Sequence, residues 1–295
     1  MFEDFRNAFS RPNSGHTQLI IINVVVFILL GFLYVVSRIG GFENVFTAVH
    51  DQFSIPPVLS SFLTRPWTII TYSFAHSMQD ILHILFNMLF LYWFGKLFVE
   101  YLGSDKLIAL YILGALAAAS FYLLIFNTVP FFKAQSDFPG MVGASGAVYA
   151  IMVGIATLLP DYTFMLLFLG PVKIKYIAGF YILLSFLGTT GANAGGNLAH
   201  LGGALMGFVY IKQLQAGVNW GGWITAVLDW VKNLFKPQSK VKVTYRKTES
   251  KTKVKGGVSK ASQEEIDAIL DKISDRGYES LSKDEKEKLF NASKK

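Results

Sequence analysis

A serine set among glycines, in Gly143-Ala144-Ser145-Gly146, stands at the start of an apolar run. A histidine, His200, stands near the start of another, in Ala199-His200-Leu201-Gly202-Gly203. Serine and histidine together are the minimum set for nucleophilic acyl transfer, in which the imidazole takes the hydroxyl proton and the alkoxide attacks a carbonyl. A third apolar run holds His83 and Asn87. Their four-residue spacing puts them on one helix face, as two side-chain donors able to hold an oxyanion. Tyr149 lies four residues after Ser145, on the same face, where it could support an imidazole ring. Gly143 and Gly146 permit a tight turn and a close approach. A serine at a helix N-terminus also has free N–H groups and a helix dipole that favour developing negative charge.

Each of these signals has a plainer reading. Glycine and serine commonly let membrane helices pack closely. His200 could be a satisfied structural histidine, although polar residues in hydrocarbon are costly and tend to be functional. His83 and Asn87 could be polar glue between helices, or His83 a metal ligand; no His-Glu-x-x-His motif occurs. Tyr149 could be an ordinary packing aromatic. Lys96 and Glu100 lie toward the other end of the run that holds His83 and read as interfacial anchoring or mutual bonding, outside any chemistry.

These residues need elements to position them. The chain has 295 residues, 52% hydrophobic and only 16% charged, where soluble domains carry about a quarter charged residues. The charges crowd into the ends, and residues 18–216 are mostly apolar, which predicts a polytopic membrane protein. Six spans can be drawn: Leu19 to Val36, Ile81 to Leu102, Leu107 to Phe126, Ser145 to Leu159, Tyr176 to Gly188 and Leu198 to Lys212. The fourth and sixth are shorter than the roughly 20 residues of a lone span and rich in glycine, so they belong at the bundle centre. The expected fold is an all-α membrane protein, a six-helix bundle with short central helices.

Basic residues set the orientation. Arg6, Arg11, Lys106, Lys173, Lys175 and a Lys-rich tail fall on one side; Arg38, Arg65 and Lys133 fall on the other. Both ends are therefore expected in the cytoplasm, with residues 1–17 a cytoplasmic segment before an uncleaved first span. His83, Ser145 and His200 then all lie near the external ends of their spans. The long segment from Arg38 to Asp80 is semi-apolar and suggests partial insertion at the interface.

There are no cysteines, which excludes disulfides, thiolate nucleophiles and Cys-bound zinc. The net charge of +7 comes mainly from the C-terminal tail. Beside membrane spans, anionic lipid is a simpler partner for it than nucleic acid. Residues 217–236 read as an interfacial amphipathic helix rather than a seventh span, and 237–261 as a basic flexible linker. Residues 262–295 carry two capping-box patterns, at Ser262–Glu265 and Ser282–Glu285, and predict a small helical hairpin stopped at Gly277.

Taken together, His83-xxx-Asn87 in the second span, Gly143-x-Ser145-Gly146 opening the fourth and Ala199-His200-xx-Gly203-xxx-Gly207 in the sixth resemble the rhomboid family of intramembrane serine proteases, over about residues 18–216. The resemblance implies Ser145 as nucleophile and His200 as general base, a dyad without aspartate. It implies an oxyanion site from His83, Asn87 and the Ser145 backbone N–H, with Tyr149 packed on the catalytic histidine. It implies hydrolysis of peptide bonds in or near transmembrane segments of membrane-protein substrates, without a cofactor, and a fifth span acting as lateral gate. A bacterial inner membrane is the expected location. One departure stands out: many family members carry Trp-Arg in the first external loop, whereas this chain has Arg65-Pro66-Trp67. The C-terminal hairpin looks like a short module of some bacterial members. The Gly- and Ala-rich segment Thr189 to Asn197 is a candidate mobile cap. Two other classes compete: a non-proteolytic scaffold, whose members typically lack the Ser or the His, and a channel or transporter, which should show more intramembrane charge or internal repeats.

Overall fold

In a membrane every backbone N–H and C=O must be satisfied within its own segment or a closed barrel, so the long Leu-, Ile-, Val- and Phe-rich runs of this chain form helices. The computed structural model describes residues 8–9, 13–134, 140–167, 169–235 and 263–293, and it divides into units 1–237 and 238–295. In the first unit the principal helices are α1 (Gly15–Gly40), α2 (Ile81–Leu102), α3 (Ser104–Thr128), α4 (Ser145–Leu158), α5 (Ile174–Leu187), α6 (Ala194–Gln215) and α7 (Gly222–Phe235). Three of them, α1, α2 and α3, are long and apolar enough to cross a membrane.

The core lies where α3, α4 and α6 meet. Ten of the fourteen residues of α4 are buried, which puts this short helix at the centre. Its neighbour α6 approaches by backbone: a methyl on Gly203 would stand 2.0 Å from the Gly146 carbonyl oxygen, and one on Gly207 would stand 2.1 Å from that of Ala150. Only hydrogen fits at either position, so this pair of glycines sets the α4–α6 spacing. By contrast α1 exposes Ile28, Leu29 and Phe32, and α5 buries only Ile174, Ala178 and Ser185. Apolar surface left on a helix flank is what lipid covers.

One expectation is revised. The sixth helix is not short. It starts at Ala194 and runs 22 residues, taking in Gly195, Gly196 and Asn197. Tertiary contacts override their low helix propensity: Gly195 backs onto the Tyr122 ring, and the Asn197 amide donates to the Gly188 carbonyl at 2.8 Å. The candidate cap shrinks accordingly to a single 3₁₀ turn, Gly188–Thr190, and residues 191–193. The bundle is all-α as expected, with one short hairpin added to it. Between α4 and α5 strands β1 (Thr163–Leu166) and β2 (Gly170–Lys173) form an antiparallel hairpin, with Thr163 opposite Lys173 and Leu166 opposite Gly170. Pro171 cannot continue a helix, and Gly170 takes the positive φ (69°) of the turn. Asp161 anchors the base of the hairpin, accepting from Lys173 at 2.9 Å and Lys175 at 2.8 Å.

The long segment after α1 is folded onto the bundle. It contains the helices Glu43–His50, Leu59–Leu63 and Thr68–Thr71 and a 3₁₀ turn, Tyr72–Phe74. Arg65 of the reversed Arg-Pro-Trp sequence holds it together, donating to the Asp51 carbonyl at 2.9 Å and pairing with the Asp51 carboxylate at 3.1 Å. Two tethers join this segment to the residues before Ser145. Ile55 and Met141 exchange both backbone hydrogen bonds (3.0 and 2.9 Å), and the Gly143 N–H donates to the Tyr72 carbonyl at 3.0 Å.

The second unit holds α8 (Gln263–Arg276) and α9 (Lys283–Ser293). Gly277 stops α8 with a φ of 76°. The Ser282 N–H donates to the Glu285 carboxylate at 2.7 Å and the Glu285 N–H donates back to the Ser282 hydroxyl at 3.3 Å, a reciprocal cap. The other capping pattern begins at Ser262, outside the described residues, as do residues 1–7 of the N-terminal segment and the basic linker.

Candidate active site

A cavity of about 800 Å³ opens among α2, α4, α5 and α6 and is lined by His83, Asn87, Ser145, Tyr149 and His200. Helices distant in sequence thus deliver the five side chains to one space. Among the described residues no hydrogen bond joins Ser145 to His200; both line the cavity wall.

Ser145 is the first residue of α4, after Ala144 in a helical conformation. The N–H groups of a first helical turn lack intrahelical acceptors, so the Ser145 N–H and the positive end of the dipole stand beside its own hydroxyl. Gly143 makes the approach possible. It has a φ of 133°, and a methyl there would lie 2.9 Å from the His83 ring and 3.7 Å from Ser145 Oγ. The crevice between Ser145 and His83 is therefore kept open by a missing side chain. Gly146 acts differently: it packs, with Ala118 and the Ala199 carbonyl against it, and leaves the crevice to Gly143.

His83 lies in the first turn of α2, where the Asp80 carboxylate accepts its backbone N–H at 3.2 Å. One turn on, Asn87 is 7% exposed, and its amide donates to the His83 carbonyl at 2.7 Å. This bond uses one of the two Asn87 N–H donors and fixes the direction of the other.

His200 is held on two sides. The Tyr149 ring stacks on it with centroids 4.1 Å apart and planes 8° from parallel. Its Nδ1 lies 3.1 Å from the hydroxyl of Ser185, on α5. The Ser185 hydroxyl donates to Tyr149 Oη at 2.9 Å, and Tyr149 Oη donates to the Tyr181 carbonyl at 3.4 Å.

Sequence reasoning missed Ser185 and His76. The rule that polar residues inside apolar spans deserve a function was the signal for Ser185. His76 is fully buried beside His83, with ring centroids 5.3 Å apart. Burial, reinforced by His83, holds its imidazole down at about 3. It is therefore neutral at ordinary pH and accepts the Ala144 N–H at 3.5 Å, a third restraint on the segment leading into Ser145. No sequence motif marks it. Lys96 is exposed and lies 6.0 Å over the Tyr92 ring.

A serine hydroxyl at a helix N-terminus, an imidazole stacked and hydrogen-bonded, and two further donors around a single cavity are the groups that acyl transfer needs. Comparison with known proteins points the same way. Residues 63–215 match the Rhomboid domain family, and residues 259–295 match a family of unknown function, DUF6576. The chain is 37% identical to RHOMBOID-like protein 12, mitochondrial, of Arabidopsis thaliana, over 52% of this chain and 48% of that one. It is 30% identical to Rhomboid-like protein 16, chloroplastic, of the same plant, over 68% and 62%. It is 24% identical to Rhomboid protease GlpG of Haemophilus influenzae, over 64% and 88%. The chain spans about half, or less, of the length of the mitochondrial relatives it matches in plant, fish and yeast.

Proposed function

The chain belongs to the rhomboid family of membrane proteins, and from that premise we propose that it is an intramembrane serine endopeptidase with Ser145 and His200 as its dyad. The observation that carries this reading is the convergence of Ser145, His200, Tyr149, His83 and Asn87 on one cavity inside apolar helices. His200 Nε2 takes the Ser145 proton, and the alkoxide attacks the scissile carbonyl. His83, the free Asn87 N–H and the Ser145 backbone N–H receive the oxyanion; losing one such donor typically costs about 3–4 kcal/mol. His200 then protonates the leaving amine, and a water activated by the same imidazole releases the acyl group. No cofactor takes part.

The substrates proposed are membrane proteins cut in or near a transmembrane segment. A helix hides its carbonyls in hydrogen bonds, so the substrate must unwind locally, which favours helix-weakening residues at the cut. The proposed topology has six spans with both ends on one side. Asp229 and Lys232 interrupt the apolar run of α7, which suits it to lie in the interface rather than to span. The basic distribution puts that side in the cytoplasm, with anionic lipid, not nucleic acid, as the natural partner of the tail. The location proposed is a membrane; the bacterial inner membrane expected from the sequence has no support among the relatives, whose names include mitochondrial and chloroplastic proteins.

The test is cleavage of a transmembrane test substrate by reconstituted protein. Ser145→Ala should abolish cutting; retention of activity would overturn the assignment. A fluorophosphonate probe should label Ser145 and lose that label in His200→Ala. Chelators should have no effect.

A further inference from the structure

Three contacts link His200 Nδ1, Ser185 Oγ, Tyr149 Oη and the Tyr181 carbonyl. Only one arrangement of protons satisfies them all. A carbonyl can only accept, so the Tyr149 hydroxyl proton points to Tyr181. Tyr149 Oη must then accept from Ser185, which uses the single proton of the Ser185 hydroxyl. Ser185 Oγ has only lone pairs left for His200, so the proton between them sits on His200 Nδ1. That leaves the lone pair on Nε2, the nitrogen that must act as base. The chain of hydroxyls thus performs the task that an aspartate performs in a triad, namely selecting the tautomer and orienting the ring.

Resting on the protease reading above, we infer that Ser185 is a positioning residue that sets the tautomer and ring orientation of His200. It is not an alternative nucleophile: it is 2% exposed and lies off the cavity wall that Ser145 helps to form. It is also one of only three buried residues on α5 and the only polar one of them. The ring of His200 is therefore set when α5 is docked, and an outward displacement of α5 by more than a hydrogen-bond length removes the acceptor from Nδ1.

The experiment compares the full-length reconstituted parent, Ser185→Ala, Ser185→Thr and Ser145→Ala on one transmembrane substrate. It also records the ¹⁵N spectrum of histidine-labelled parent and Ser185→Ala, with His200→Ala used for assignment. Losing a neutral hydrogen bond to the ring should lower kcat about 3- to 10-fold, with KM changed by less than about twofold. Ser185→Thr, which keeps the hydroxyl, should recover most of the loss. The parent spectrum should show His200 protonated on Nδ1 only, and Ser185→Ala should show a mixture of tautomers. Unchanged kcat in Ser185→Ala, or the parent tautomer retained there, overturns the inference while an inactive Ser145→Ala leaves the protease reading standing. An active Ser145→Ala would instead sink that reading. Should Ser185→Ala fail to fold, the parent spectrum decides, since a His200 protonated on Nε2 alone overturns the inference by itself.

Discussion

Tyr149 lies flat against His200, with centroids 4.1 Å apart and planes 8° from parallel. The contact restricts the imidazole to rotation in its own plane, and the hydroxyl contacts at its edge limit that rotation. Such a stack is worth about 0.5–1.5 kcal/mol beyond burial. Tyr149→Phe keeps the stack and loses the hydroxyl, so kcat on a transmembrane substrate should fall about 3- to 10-fold. Tyr149→Ala loses both, and its kcat should fall by roughly a further 2- to 12-fold. Equal activity in the two variants would show that stacking contributes nothing.

Gly143→Ala tests the crevice. The methyl meets the His83 ring at 2.9 Å, on a backbone of φ 133°. Strained backbone of this kind costs about 1–3 kcal/mol, and the added carbon occupies the space beside Ser145 Oγ. We expect a folded protein of lower thermal stability with cleavage reduced at least about a hundredfold, the scale of losing an oxyanion donor. Parental turnover would mean that the oxyanion is held elsewhere.

The α4–α6 spacing gives a matched pair of substitutions. Gly203→Ala puts a methyl 2.0 Å from the Gly146 carbonyl oxygen, whereas a methyl on Gly179 of α5 would have nothing within 4 Å. Overpacking costs about 1–3 kcal/mol, so Gly203→Ala should lower the thermal unfolding midpoint in detergent and activity together. Gly179→Ala should leave both near the parent. The comparison is read by thermal unfolding and cleavage on the same preparations.

In the second unit Glu285 carries the pH dependence. Its carboxylate accepts the Ser282 N–H and the Lys272 ammonium, which hold it down at about 2 from an ordinary 4.5. The folded value is the lower one, so its contribution is complete above about 4.5 and is lost as pH falls toward about 2. Amide exchange across residues 263–293 of the full chain should therefore quicken over that window, and Glu285→Gln should flatten the dependence. Exchange that ignores pH in the parent would contradict the assignment.

The helices were legible because apolar runs broken by Gly, Pro and charge map directly onto segments that satisfy their own backbone. Ser145, His83 and Asn87 were legible because each belongs to a local pattern: a serine among glycines, or a pair four apart on one face. Ser185 and His76 were not, because their meaning lies in contacts with His200 and Ala144, fifteen and sixty-eight residues away. The start of α6 was misplaced for a related reason. Gly195, Gly196 and Asn197 are poor helix formers in isolation, and Tyr122 and Gly188, which hold them, lie outside any local window.

The tethers Ile55–Met141 and Tyr72–Gly143 bear on how the candidate site comes into being. They close loops of many tens of residues, and contacts so distant in sequence form late because their closure entropy must be met first. Until they close, Ser145 is in the chain without the backbone bonds that hold the segment leading into it. The proposed peptide-cutting activity is thus a property of the finished fold, and a chain in which these tethers are open should not show it.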